Sequence, residues 1–282
     1  MPVTQDVCKR LLYAKYLLSR ARAAQTEQNE LGIAVSLLLM HDASELLMLA
    51  ILDHLGSSSV NWKFMDFWEK AKLKSGKEPG HKIPMSRLND LRVSLKHKGT
   101  LPRAQDVRDL TPRVETFCEE TTKQLLDLDF SELSLAVLIA DANVRSTLQD
   151  AEKALKAGDK NSAYVNVRVA FEKLRRLMTS DVALISKPRG IKVPKGTLPK
   201  ETYQTLLNLQ GVVFDLAGTV NMLMIGIDPV KYRFLLANTP AVSLTLSGHH
   251  QALITRDYND VTDEVFQTCF RFVVDVALNA SL

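Results

Sequence analysis

Along most of this chain apolar residues recur at three- and four-residue spacing, the period of a helix with one buried face. Leu11, Leu12, Tyr16 and Ala23 open such a stretch, which closes in the polar run from Gln25 to Glu30. From Leu31 to Leu55 the pattern is apolar on most faces, as in a helix surrounded by others, and it stops at Gly56-Ser57-Ser58-Ser59. Pro79-Gly80 and Pro84 mark loops, and a short helix over 86–98 is expected to end at Gly99 as a left-handed cap. Asp109-Leu110-Thr111-Pro112 reads as the start of another long helix, with Asp109 or Thr111 as N-cap and the proline in its first turn. Residues 241–256 alternate around Ser247-Gly248-His249, the pattern of a small β-hairpin. The fold class these patterns predict is all-α.

The second half repeats the first. Ala43-Ser44-Glu45-Leu46-Leu47 corresponds to Ala170-Phe171-Glu172-Lys173-Leu174. Asp109-Leu110-Thr111, followed by Val114 and Cys118, corresponds to Asp260-Val261-Thr262, followed by Val265 and Cys269, with every spacing kept. Two matches in the same order point to duplication. The later copy has gained a Pro/Gly/Lys-rich connector over Ile185 to Lys200 and the hairpin region. Two tandem helical bundles are therefore expected, over residues 1–135 and 136–282, joined near Leu133 to Asp141.

Composition narrows the classes. With 46% hydrophobic residues in 282, each half has enough apolar chain for a core, which sets disordered and collagen-like readings aside. Twelve Gly and ten Pro are too few for a turn-rich sandwich or barrel. Three widely spaced cysteines (Cys8, Cys118, Cys269) argue against a disulfide framework and a cysteine-based zinc site. Met1 to Arg10 shows no apolar signal region, so a cytoplasmic setting is expected. The apolar stretches Val35–Leu52 and Gly211–Ile227 carry His41, Asp42 and Glu45, and Asp215 and Asn221, and read as buried helices rather than membrane spans.

A net charge of +4 conceals an uneven distribution. From Trp62 to Arg113 there are 13 Lys and Arg against 6 Asp and Glu, a local net of +7. Such a segment is either a solvated lysine-rich surface or a face for a polyanion such as RNA. It contains Arg92-Val93-Ser94-Leu95-Lys96-His97-Lys98, the only Arg-x4-His in the chain. Histidine can move a proton to or from a ribose hydroxyl or leaving oxygen, and arginine can hold the scissile phosphate bidentately. On an ideal helix, residues five apart diverge by about 140°, so the pair needs a frayed helix end or a cleft between bundles. The structural alternative has His97 closing the helix and Arg92 paired with Asp90 or Glu45.

Arg92-x4-His97, preceded by a helix bearing Ala43-Ser44-Glu45-Leu46-Leu47, resembles the HEPN superfamily of helical domains over about residues 8–130, and more weakly over the second half. The resemblance implies a metal-independent endoribonuclease of the toxin or phage-defence kind, with Arg92 and His97 catalytic, Glu45 supporting and no cofactor. Arg87, Lys96, Lys98 and Arg103 are the expected RNA contacts. The second copy reads Arg233-x4-Asn238, and asparagine is no general acid or base near neutral pH. The resemblance then implies either a composite site within one chain or a homodimer of first copies, with a regulatory protein partner in the toxin setting. Its alternative is a non-catalytic HEPN-like RNA-binding or protein-scaffold module.

Other features rank lower. His249-His250 sits at the expected hairpin tip and reads as a solvated turn. His41 and Glu45 lie one helical turn apart without an apparent third metal ligand, and read as a buried hydrogen-bonded pair, so no metal is expected. Trp62 and Trp68 could stack on bases but fit core packing better. The basic run Gly190 to Gly196 lacks phosphate-loop spacing, and no nucleophile-elbow, Walker or dinucleotide fingerprint is present.

Overall fold

A computed structural model of the chain describes residues 3–27, 29–57, 62–179, 198–245 and 250–280. They divide into two compact units, Met1–Leu138 and Ile139–Leu282. Helices dominate both, and the sheet among the described residues is one two-stranded hairpin.

The first unit comprises α1 (Gln5–Gln25), α2 (Glu30–His54), α3 (Asp66–Ser75), α4 (Lys82–Lys98) and α5 (Ala104–Leu126), followed by short 3-10 turns at Phe130–Glu132 and Leu135–Leu138. Thr4 and Asn29 cap α1 and α2 by accepting from the backbone N–H groups of Val7 and Gly32. The α1–α2 turn is so tight that a Cβ on Gly32 would stand 2.5 Å from the Ala24 carbonyl oxygen, which only glycine avoids. Helix α2 runs through the core. Leu37, Met40, Ala43, Leu47, Met48 and Ile51 are fully buried against Leu11 and Ala14 of α1 and Val107, Val114 and Phe117 of α5. Gln25 ties three helices together, donating to Ser36 Oγ at 2.8 Å and Thr111 Oγ1 at 2.7 Å. Trp68 is a core residue: its ring stacks on Phe117 and its Nε1–H donates to the Gly80 carbonyl at 2.9 Å.

Two helices start earlier than their sequence signals suggest. Pro84 lies in the first turn of α4, not in a loop, where its missing N–H would have had no helical partner. Pro112 lies inside α5, whose N-cap is Arg103. Burial of Val107 and Leu110 holds the two extra turns, and Thr111 Oγ1 donates to the Val107 carbonyl at 3.0 Å. Gly99 closes α4 in the left-handed conformation, φ 66°, as expected.

The second unit comprises α6 (Ala142–Lys156), α7 (Lys160–Thr179), α8 (Lys200–Met224), α9 (Pro229–Asn238), the antiparallel strands β1 (Ala241–Leu244) and β2 (His250–Leu253), and α10 (Asp263–Asn279). Ala241 pairs with Leu253 and Leu244 with His250, which is the expected hairpin. Its tip, including Ser247, Gly248 and His249, lies outside the described residues, as do residues 185–197 of the connector, with the Gly190–Gly196 run, and Ser58 and Ser59. The core joins Leu148 of α6, Tyr164, Ala170, Phe171 and Leu174 of α7, and Phe266, Cys269 and Val273 of α10. The repeat pairs Ala43/Ala170, Leu47/Leu174 and Cys118/Cys269 are buried in both units. All three cysteines are free, and burial pushes the Cys118 and Cys269 thiols well up, to about 12 for Cys269. They are inert core residues. In the second unit Thr262 stands at the N-cap position of α10 without a side-chain cap bond, so Asp-x-Thr marks a helix start there and a helix interior in the first unit.

Helices α2 and α8 are both long and apolar enough to cross a membrane by composition. Helix α2 is the core of its unit. Helix α8 differs from the expected buried helix: Leu209, Val212, Leu216 and Leu223 are exposed, and inward burial is confined to residues such as Ala217 and Met222.

Candidate functional site

The polar residues of interest in the first unit form two groups, one between α2 and α4 and one at the C-terminal end of α4. The first begins with His41, Asp42 and Glu45 on α2. On α4, Asn89, Arg92 and Lys96 follow one another at spacings of three and four, which puts them in one row on that helix, and Asn89 reaches His41. His41 is only 2% exposed, with Phe64 against its ring at 4.5 Å between centroids. Its Nε2 lies 3.2 Å from Asn89 Oδ1. Its Nδ1 lies 3.6 Å from Asp42 Oδ1 and 3.8 Å from Glu45 Oε2, and has no hydrogen-bond partner among the described residues.

The Asp42 carboxyl is held below the ordinary carboxylate range, by His41 first, with partial burial opposing and the positive Lys96 and Arg92 assisting. The positive charge of Arg92 thus reaches Asp42 as a field, and neither Asp90 nor Glu45 is its hydrogen-bonded partner among the described residues. Its Nε is buried without a hydrogen-bond partner there. His41 and Glu45 are close, as their spacing implies, but the hydrogen bond of His41 goes to Asn89.

The second group surrounds Gly99. Lys96, His97, Lys98 and Arg103 are all exposed. Helix α4 stays regular through Lys98, with the Gly99 N–H bonded to the carbonyls of Leu95 and Ser94. Arg92 and His97 are thus about 140° apart around an unfrayed helix. Arg92 is half-buried, with its Nε enclosed, while His97 sits exposed in the basic end. Part of this positive charge complements the C-terminal dipole of α4. Arg87 is taken up in an ion pair with Asp106 across α4 and α5. Trp62 is half-buried beneath Lys70, whose Nζ stands 5.7 Å from its ring centroid.

In the second unit, Arg233 and Asn238 lie on α9. Arg233 is exposed, and the Asn238 side-chain amide donates to the Phe234 carbonyl of its own helix at 2.9 Å. Glu172, the repeat partner of Glu45, is buried between Arg168 and Arg175. The hydroxyl of Tyr232, whose ring stacks on Phe171, is pushed up by burial beside this cluster.

The sequence reading missed Asp42 and Asn89. The row 89, 92, 96 on one face of α4 was available as a signal, but nothing local says which helix that row faces. No family model matches this chain, and no curated protein or solved structure shows significant similarity to it.

Proposed function

We propose that this protein is an RNA-binding module of HEPN-like build, with its contact surface at the C-terminal end of α4 and the turn into α5. The observation that supports this reading is the group Lys96, Lys98 and Arg103, exposed around Gly99 within a segment of net charge +7 and without an ion-pair partner among the described residues. Cations placed so are free to neutralise phosphates, whereas Arg87 is already neutralised by Asp106.

The test is fluorescence anisotropy of single-stranded RNA with the full chain across a salt series. Affinity is expected to fall linearly on logarithmic axes, by about 0.7 in slope for each phosphate neutralised. The double variant K98E/R103E, both positions exposed, is expected to bind more weakly with a shallower slope. Absent binding at low salt, or an unchanged slope in the variant, would sink the proposal.

Cleavage of RNA by Arg92 and His97 is the second reading. What favours it is His97, which is exposed and lacks a hydrogen bond among the described residues, so that its ring is free to meet a substrate. Because the intact helix separates it from Arg92, this reading requires RNA spanning both faces of α4, or a homodimer in which a second copy completes the pair. Chelator-resistant cleavage of RNA, lost in both H97A and R92A, is its expected signature; a regulatory protein partner would be sought only after that result. The toxin or phage-defence setting belongs to this second reading alone.

A further inference from the structure

The strongest unexplained chemistry in the molecule is the buried nitrogen of His41. Its Nε2 lies 3.2 Å from Asn89 Oδ1, and its Nδ1, on the other side of the ring, is buried with no hydrogen-bond partner among the described residues. That nitrogen faces Asp42 Oδ1 at 3.6 Å and Glu45 Oε2 at 3.8 Å, beyond hydrogen-bond reach of either. A buried polar atom left unpaired costs about 1–3 kcal/mol. A cation shared with the two carboxylates removes that penalty.

We propose that His41, Asp42 and Glu45 form a binding site for a divalent metal ion of the zinc type. One ligand atom from each of the three lies within 4.8 Å of the others. Ligands held at about 2.0–2.2 Å around a tetrahedral zinc ion stand roughly 3.3–3.6 Å apart. The two distances from Nδ1 are within a few tenths of an ångström of that range, so side-chain rotation of the two partly exposed carboxylates closes the site. Two carboxylates balance the charge of the ion. Asn89 supplies the outer contact that metal-bound histidines characteristically have, fixing tautomer and ring orientation. Phe64 closes the other side of the ring. Nitrogen with two carboxylate oxygens selects zinc, manganese or cobalt over magnesium, which prefers all-oxygen octahedral surroundings. Three protein ligands leave a coordination position open for water or an anionic group. Lys96 and Arg92 beside Asp42 oppose the ion and set a ceiling on its affinity.

The site explains a difference between the two units. At the positions repeated from His41 and Glu45, the second unit carries Arg168 and Glu172, 3.0 Å apart, so a fixed guanidinium stands where the first unit has the orphaned nitrogen. Each unit thus balances its glutamate with a positive group, an arginine in one and a metal ion in the other. The inference does not depend on the RNA reading.

The test is isothermal titration of the full chain, freed of metal by chelator, with zinc chloride and separately with magnesium chloride, supported by the visible absorption of bound cobalt. Wild type is expected to take up one zinc per chain at this site, with magnesium binding at least about tenfold weaker. D42N and E45Q keep side-chain shape at half-exposed positions and are expected to weaken zinc by about 10–100-fold each with unchanged circular dichroism. N89A is expected to weaken it less than either. No uptake by folded wild type overturns the proposal. So does zinc uptake unchanged in the D42N/E45Q double variant, which would place the ion elsewhere. Equal affinity for magnesium overturns the nitrogen ligand.

Discussion

Arg168 and Glu172 form a buried ion pair, 3.0 Å long, one turn apart on α7, and Arg175 closes on the same carboxylate at 2.8 Å. Its repeat counterpart in the first unit is His41 with Glu45, where the separation is 3.8 Å and the carboxylate is partly exposed. The glutamates at these two sequence-matched positions are therefore enclosed in one unit and partly exposed in the other.

Removing Glu172 leaves two arginines without their counter-charge, one of them largely buried. E172A is expected to lower the stability of the second unit by about 3–5 kcal/mol, and E172Q by less. E45Q is expected to change stability by no more than about 0.5 kcal/mol in metal-free protein. Urea unfolding followed by circular dichroism compares them. Equal losses at Glu45 and Glu172 would contradict the difference in enclosure.

Pro112 sits exposed in the interior of α5, where its ring removes a helical hydrogen bond. P112A is expected to raise stability. A helix-interior proline costs about 3 kcal/mol relative to alanine, and the looser unfolded chain returns up to about 1, so a gain near 2 kcal/mol follows. A fall in melting temperature would show that the helix is built around the proline.

The two most apolar long helices should respond oppositely to truncation. Leu47 of α2 is fully buried and L47A is expected to cost about 2–5 kcal/mol. Leu216 of α8 is 62% exposed, and L216A is expected to stay within about 0.5 kcal/mol of wild type. A large loss at Leu216 would reveal that its outward face is covered in solution.

Asp159 accepts hydrogen bonds from the Ser162 hydroxyl and backbone N–H at the start of α7, and these hold its carboxyl below the ordinary value. Because the folded value lies under the unfolded 3.8, this stabilisation is present above that pH and is lost as pH falls through the folded value. D159A is therefore expected to be less stable than wild type near neutral pH, with the gap narrowing in acid. Denaturation at neutral pH and below about pH 2 checks it. A gap independent of pH would remove the carboxylate from the explanation.

Much of the architecture follows from local pattern. The helical period, the Gly99 stop, the hairpin pairing of Ala241 with Leu253 and the repeat of Ala43–Leu47 at Ala170–Leu174 all rest on residues close together in the chain. So does the placement of positive charge between Trp62 and Arg113. Tertiary packing decided what local pattern leaves open. Pro112 would start a helix by itself, but burial of Val107 and Leu110 outweighed it. Helix α8 has the composition of a core helix, yet lies largely exposed. Asp90, two residues before Arg92, is its nearest acid in sequence, yet the charge of Arg92 acts on Asp42, fifty residues away, because α2 and α4 lie side by side. Periodicity marks a stripe on a helix; which helix covers that stripe depends on residues far along the chain, and that is settled only when the core closes.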